Sequence, residues 1–452
     1  MRRLLVSIVL SVLALSAAPA QGAVFIAGTG QNPGVAIDGV GTAYVGWQVD
    51  TYGPDDAVQV CRLPARARAC ESVATVAFPG KGFNRSRVSL IASGPSTVDA
   101  IVPREIVNDY STYLARSTDG GRTFGPAVQI SDSAFEQGVA GPSGTVALTG
   151  GVGLAAGVVP ADGSGGASQG SELGELLAGQ WNDIVAHGGD VIVAGSSSGG
   201  SAAFRLPPGA DPNVPDNWQR LDDLPLGRQP ELASTAHGTT VLLEPAATGA
   251  DGLYAQRLNG VGWTRPVRVT ASVLNNDFEL VSGGAGRLGA LRTDSGRLFY
   301  ATSTDGGTLW SSEVPAAGLG VSPWDLEGAA GADGRGVAAV RVGTQIRVAR
   351  FSPSQAPVAS RRIGRGRVQV RSLCDGGVNV LVVEAKRLGA RVGPSRLLRR
   401  ASFGRARGAA RLSRSTFRAR YDLSRSRARV PVRFVPRSGR SRAVRLAVRR
   451  CG

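Results

Sequence analysis

The sequence predicts an all-β chain, a β-propeller followed by a small β-sandwich, and three observations carry that expectation. Glycine is frequent, at 63 of 452 residues, and candidate helices are few. A turn-plus-strand pattern recurs along most of the chain. The last ninety residues alternate apolar residues with arginine, which is the pattern of half-buried strands.

The repeat reads as a turn, a Gly or Ser, then an alternating apolar strand. It appears as GTAYVGW from Gly41, STVDAIV from Ser96, GTVALTG from Gly144 and GDVIVAG from Gly189. It continues as GTTVLLE from Gly238, GRLGALR from Gly286 and GRGVAAV from Gly334, so that the intervals are 55, 48, 45, 49, 48 and 48. Each copy follows another short apolar stretch. Most precede a third strand ending in Arg or Thr (Arg62, Arg116, Arg205, Arg257, Thr302, Arg350), and a fourth usually comes next. Four short strands in about 40 to 50 residues make one propeller blade. Seven second strands favour seven blades over residues 24–351, with the VFIAG segment closing the last; six blades plus an irregular unit is the rival count.

Residues 352–360, SPSQAPVAS, read as a linker, and residues 361–452 as a basic β-sandwich of Ig-like or fibronectin-like type. That region holds 27 basic residues against three acids, whereas residues 24–360 hold 22 against 31. The net charge of +17 therefore belongs to the tail. Only Lys81 and Lys386 are lysines, a preference that GC-rich coding explains as well as selection does. A polyanionic cell-envelope polymer is the partner this charge fits, by unspecific attraction; no physiological nucleic acid is expected.

The N-terminus reads as a signal peptide, residues 1–23. Arg2 and Arg3 precede the apolar run 4–16, and Ala18-Pro19-Ala20 is a small-x-small cleavage site. No stretch is long enough for a transmembrane segment. A secreted, extracellular or cell-surface protein is expected, and four cysteines fit an oxidising compartment. Parsimony pairs Cys61 with Cys70 and Cys374 with Cys451. No CxxC spacing, His-rich tract or acidic loop marks a metal site, so neither metal nor cofactor is expected.

Two segments follow third strands in equivalent phase, 186 residues apart: STDGGRTF, Ser117 to Phe124, and STDGGTLW, Ser303 to Trp310. They resemble the Asp box (BNR repeat) of the sialidase-like propellers, S-x-D-x-G-x-T-W. The first departs from it by Phe124 for Trp, the second by Leu309 for Thr. The resemblance implies hairpin staples on the periphery rather than an active site. Ser117, Asp119, Gly121 and Thr123, and Ser303, Asp305 and Gly307, then fix the turn, while Phe124 and Trp310 pack between blades. Aligning Arg62 with Arg116 places Cys61 and Cys70 around the corresponding hairpin of the first blade.

Sialidase activity implies three arginines gripping a carboxylate, a Tyr nucleophile with a Glu partner, and an acid. Phe204-Arg205-Leu206-Pro207 fits the family's first-arginine motif but lies after the first Asp box, and Cys61-Arg62-Leu63-Pro64 lacks the aromatic. Both arginines also belong to the repeat's own third-strand position. Glu244 and Tyr300 are the remaining catalytic candidates, although Tyr113, Tyr254 and Tyr300 all occupy third-strand positions where aromatics pack. His187 and His237 precede Gly in turns. The expectation is a non-catalytic extracellular module binding glycan or protein through its central mouth; the alternative is an exo-sialidase or related glycoside hydrolase with divergent catalytic residues.

Overall fold

The computed structural model describes residues 24–449 apart from internal segments, among them 81–86, 160–180, 222–229, 271–277, 352–358 and 404–417. Residues 1–23, on which the expected signal peptide falls, and Cys451 lie outside the described residues. Apart from a 3-10 turn at Pro215–Asn217, the regular structure within them is β-strand, all of it paired antiparallel.

Among the described residues, the chain up to Phe351 forms seven antiparallel sheets in succession. The first runs Gln31–Ile37, Ala43–Val49, Asp56–Leu63 and Ser72–Phe78 from inside to outside. The others begin with the inner strands Ser89–Ala92, Gln137–Ala140, Trp181–His187, Glu231–Ser234, Phe278–Gly283 and Trp324–Ala330. Each inner strand packs beside the next, and the last packs beside the first, which closes a ring. The fold is therefore a β-propeller. Its seventh sheet is completed from the other end of the chain: Val24–Thr29 pairs antiparallel with Gln345–Phe351. That pairing ties the two ends of the propeller together by backbone hydrogen bonds.

The sequence pattern explains the stacking. Second strands are apolar on both faces because both neighbouring sheets cover them; Ala43–Val49 is buried from Ala43 to Gln48. Tyr44 faces the second sheet's core, with Val98 and Ala100, while Trp47 faces the seventh sheet's Val337 and Ile346. Complete burial of side chains of this size stabilises by about 1.5–3 kcal/mol each. Glycine is needed where sheets touch. At Gly121, φ is +77°, and a Cβ would lie 2.8 Å from the Tyr44 ring; at Gly307, φ is +87°, with Val241 at 3.0 Å. Tyr44 and Val241 hold the same place in the repeat, so each glycine lets a hairpin rest on the preceding sheet.

Beyond the propeller, Ala359–Ile363, Gly366–Asp375, Val378–Arg387 and Ala390–Val392 form adjacent strands, and Arg418–Tyr421 pairs with Val378–Arg387. The first of them starts within the segment read as a linker. A second sheet contains Leu398–Phe403, Arg427–Pro436 and Arg442–Arg449. Val368, Val370, Leu381 and Val383 from the first sheet share one core with Leu398, Val432, Phe434 and Leu446 from the second. Two layers over one apolar core make a sandwich. Trp310 and Ser311 of the sixth propeller sheet pair with Cys374 and Leu373, which joins the two regions edge to edge. The expected Cys374–Cys451 pairing falls on Cys451, outside the described residues.

Candidate functional site

The inner strands carry one position to the channel in each repeat, seven residues before the second-strand glycine in most of them. In chain order it is Gly34, Ser89, Gln137, Asp183, Glu231, Glu279 and Glu327, and the last four are 48 residues apart. A cavity of about 140 Å³ is lined by Ser89, Gln137, Asp183, Glu231, Glu279 and Glu327 together with Arg87. Four carboxylates from four successive sheets thus surround one guanidinium.

Short side chains at this position serve the fold. Asp183 accepts hydrogen bonds from its own neighbour Ile184 N at 2.7 Å and from Leu232 N of the next inner strand at 2.5 Å. Ser89 does the same across its boundary, accepting from Gly138 N at 3.0 Å. The three glutamates are one methylene longer and their carboxylates reach the cavity. Arg87 Nη1 lies 2.5 Å from Glu327 Oε1 and 3.9 Å from Glu279 Oε2. At 3.9 Å the Arg87 contact leaves Glu279 Oε2 without a hydrogen bond among the described residues, and Glu327 Oε1 has only its close ion pair.

Withdrawal from bulk water dominates the electrostatics. It pushes Glu327 up to about 7, against the pull of Arg87 and with the repulsion of Asp183 and Asp325. Burial raises Asp183 to about 6, although the Leu232 and Ile184 N–H groups and Arg87 oppose it. Glu231 and Glu279 rise well above the ordinary carboxylate range, first through burial and then through the other acids. Burial alone would lower Arg87, but Glu327, Glu231 and Glu279 overrule it and hold the guanidinium firmly charged. Asp325 is itself engaged by Arg341, at 2.7 Å. The ring therefore stores protons near neutral pH and gains negative charge as pH rises. Among the described residues no three ligating groups converge closely enough to hold a metal ion.

The residues singled out from the sequence lie elsewhere. Arg62 donates from Nε to Gly120 O of the neighbouring hairpin at 3.0 Å and pairs with Glu71. Arg205 pairs with Asp190 at 2.7 Å within its own sheet. Arg116 makes a bidentate pair with Asp99, at 2.7 and 3.0 Å, and Arg350 donates to the carbonyls of Pro64, Ala65 and Ala67 across the ring closure. The third-strand arginine is thus a repeated staple, and none of these lines the cavity. Tyr300 packs on Phe351 with ring centroids 6.0 Å apart, and burial raises its phenol. Tyr44 donates to Asp38 at 3.1 Å and is pushed up to about 12, chiefly by burial. Glu244 stands opposite Tyr254 in a strand pair, and its side chain lies outside the described residues, as do those of His187 and His237.

Both hairpins that resemble Asp boxes are knotted internally. Ser117 Oγ donates to Asp119 Oδ1 at 2.9 Å and accepts from Gly121 N at 2.8 Å. The second hairpin repeats this with Ser303, Asp305 and Gly307, each bond at 2.9 Å. Asp119 accepts from Thr123 N at 3.0 Å and Thr123 Oγ1 at 2.7 Å, and these bonds hold its carboxyl well below the usual range. Leu309 cannot give the hydroxyl bond; there Trp310 Nε1 donates to Gly307 O at 3.0 Å, with the indole wholly buried. In the first sheet, Cys61 and Cys70 are disulfide-bonded, with Cα atoms 5.4 Å apart, and pin the corresponding hairpin.

Sequence reading missed the ring of acids and Arg87. The signal was present in the 48-residue recurrence of Glu231, Glu279 and Glu327 at a fixed offset before the second-strand glycines.

Fold and ring together define a β-propeller with an acidic channel. No protein-family model matches the chain, and no curated protein does. Solved structures similar to it include YCF48 bound to D1 peptide, with a TM-score of 0.47, 13% identity, and coverage of 75% of this chain and 97% of that one. The WD40 domain of Toxoplasma gondii coronin aligns with a TM-score of 0.45 and 9% identity, over 75% and 88% of the two chains. The calcium-binding protein regucalcin from Agrobacterium tumefaciens aligns with a TM-score of 0.37 and 10% identity, over 58% and 88%. These likenesses concern the arrangement of sheets alone.

Proposed function

We propose that the chain is a secreted, non-catalytic propeller that receives a cationic group of an extracellular protein ligand, a lysine or arginine side chain, in its acidic channel. One observation carries this reading: Asp183, Glu231, Glu279 and Glu327 converge on a small cavity in which Arg87 is the one arginine among the described residues. An ammonium or guanidinium entering the cavity displaces the protons these acids hold and satisfies the open oxygen of Glu279. A cavity of about 140 Å³ is also small beside the roughly 300–1,000 Å³ of small-molecule sites, and suits the tip of one side chain better than a whole sugar.

The same charges oppose the glycosidase alternative. A sialic acid carboxylate would meet four acids, and Arg87, the one arginine that lines the cavity among the described residues, is already engaged by Glu327. Arg62 and Arg205 are held in staples away from the cavity.

Titration calorimetry with a tetralysine peptide at pH 8, beside its glutamine counterpart, tests the reading. Tetralysine is expected to bind, the glutamine peptide to fail, and the double variant Glu231→Gln/Glu279→Gln to bind at least about tenfold more weakly. Equal binding by wild type and variant would overturn the proposal. So would turnover of a fluorogenic sialoside that is abolished by Arg87→Ala.

A further inference from the structure

The strand register of the C-terminal sandwich aligns like charges. Arg362 is paired with Arg367, Arg367 with Lys386, and Lys386 with Arg391. Directly paired residues share a face of the sheet, so four cations form one row across four adjacent strands. With strands about 4.8 Å apart the row spans about 14 Å. It stands on the face opposite the core, since Val368, Val370, Leu381 and Val383 on the alternate positions are buried between the two sheets. Arg362 and Arg367 are exposed. One register row further on, Gln369, itself buried, is paired with Glu384, and in the row beyond Arg371, Val382 and Arg418 are paired in register.

Like charges placed directly opposite one another cost a sheet stability. Codon preference accounts for arginine in place of lysine, but it does not pair four cations along one row of the sheet. A linear polymer of negative charge laid across the strands would neutralise the row, and planar guanidinium groups suit carboxylate and sulfate oxygens. The register places no aromatic residue among these positions, so the face lacks the stacking platform typical of single-stranded nucleic-acid sites.

We infer that this face is a binding surface for an acidic polysaccharide, with Arg362 and Arg367 at its accessible end. The experiment is surface plasmon resonance of the full chain over immobilised heparin, a matched-charge single-stranded oligonucleotide and neutral dextran, in 0.1 to 0.5 M NaCl. Heparin is expected to bind and dextran not to. The double variant Arg362→Thr/Arg367→Thr, which keeps a strand-compatible residue at each site, should bind heparin at least tenfold more weakly at 0.1 M salt. Its slope of log affinity against log salt should be shallower by about two, one for each lost cation. The control Arg442→Thr/Arg445→Thr removes two exposed arginines from the other sheet and should change affinity less than threefold. Equal losses in the two double variants would reduce the effect to net charge and overturn the proposal. It would fall equally if the oligonucleotide bound as tightly as heparin and with the same sensitivity to Arg362→Thr/Arg367→Thr, or if dextran bound.

Discussion

The acidic ring of the propeller and the cationic row of the sandwich are both arrays of like charge written by strand register, and they handle repulsion in opposite ways. The ring is removed from bulk water, where unscreened charges cannot coexist, so it holds protons and one arginine inserted among the acids. The row has Arg362 and Arg367 at the surface, where water and salt weaken the repulsion. Burial decides the difference. The same spacing of charges gives a proton-linked site inside and a salt-sensitive face outside.

Removing the inserted cation should have the largest effect. Breaking a buried ion pair by deleting one partner usually costs 3–5 kcal/mol, because it strands the other charge. Arg87 keeps 31% of its side chain exposed to the channel, which moderates that figure. Arg87→Ala is therefore expected to lose about 2–3 kcal/mol at pH 7.5 in urea denaturation, discounted from the buried-pair value. Adding Glu327→Gln should recover part of the loss. A change below about 0.5 kcal/mol, the scale of an ordinary surface substitution, would show that the ring needs no internal cation.

The second effect follows the protons. Glu327 and Asp183 titrate near 7 and 6 in the folded chain, above their unfolded values of 4.5 and 3.8. The folded state thus binds more protons than the unfolded one across that window, and its stability falls as pH rises from about 4 through about 7. The contribution of these acids is fully present below the window and lost above it. The double variant Glu231→Gln/Glu279→Gln removes two more carboxyls whose titration burial pushes well above the ordinary range, so its stability at pH 7.5 relative to pH 4.5 should exceed that of wild type by about 1–2 kcal/mol, on the scale of 1.36 kcal/mol per shifted pKa unit. Parallel pH profiles for the two proteins would break the contrast between a proton-holding interior and an always-charged exterior.

The two regions also differed in how much the sequence disclosed. The propeller was legible because its signals are local: turn glycines, alternating strands and the Ser117 and Ser303 hairpins each need only a few consecutive residues. Repetition alone marked Arg62 and Arg205 as repeat positions rather than unique chemistry, and their contacts came only with the structure. The channel was harder to see because its members contribute one side chain per repeat and come together only when the ring closes. Asp183, Glu231, Glu279 and Glu327 carry a visible 48-residue period with Arg87 two periods before Asp183, but Arg87 stands two residues before its own blade's equivalent position, Ser89, and Asp183 is one residue out of phase with the second-strand glycines. In the sandwich, the abundance of arginine was plain, whereas the row depends on which residues pair across Gly366–Asp375 and Val378–Arg387. No local pattern specifies that pairing.

The smallest effect tests the exposed half of the comparison. Arg367 is flanked in register by Arg362 on one side and Lys386 on the other, so it meets like charge across both strand boundaries. Replacing it with threonine removes both repulsions while keeping strand propensity, and cross-strand pairs of this kind are worth about 0.2–1 kcal/mol. Arg367→Thr is therefore expected to stabilise the chain by a few tenths of a kcal/mol in 0.02 M salt, and the gain should vanish in 1 M salt, where the screening length is only about 3 Å. Thermal melts at the two ionic strengths measure it. A gain that persisted at high salt would mean that packing, not charge, changed at this position. Destabilisation at low salt would mean that an acid already answers Arg367, with Glu384, one register step away, as the nearest source.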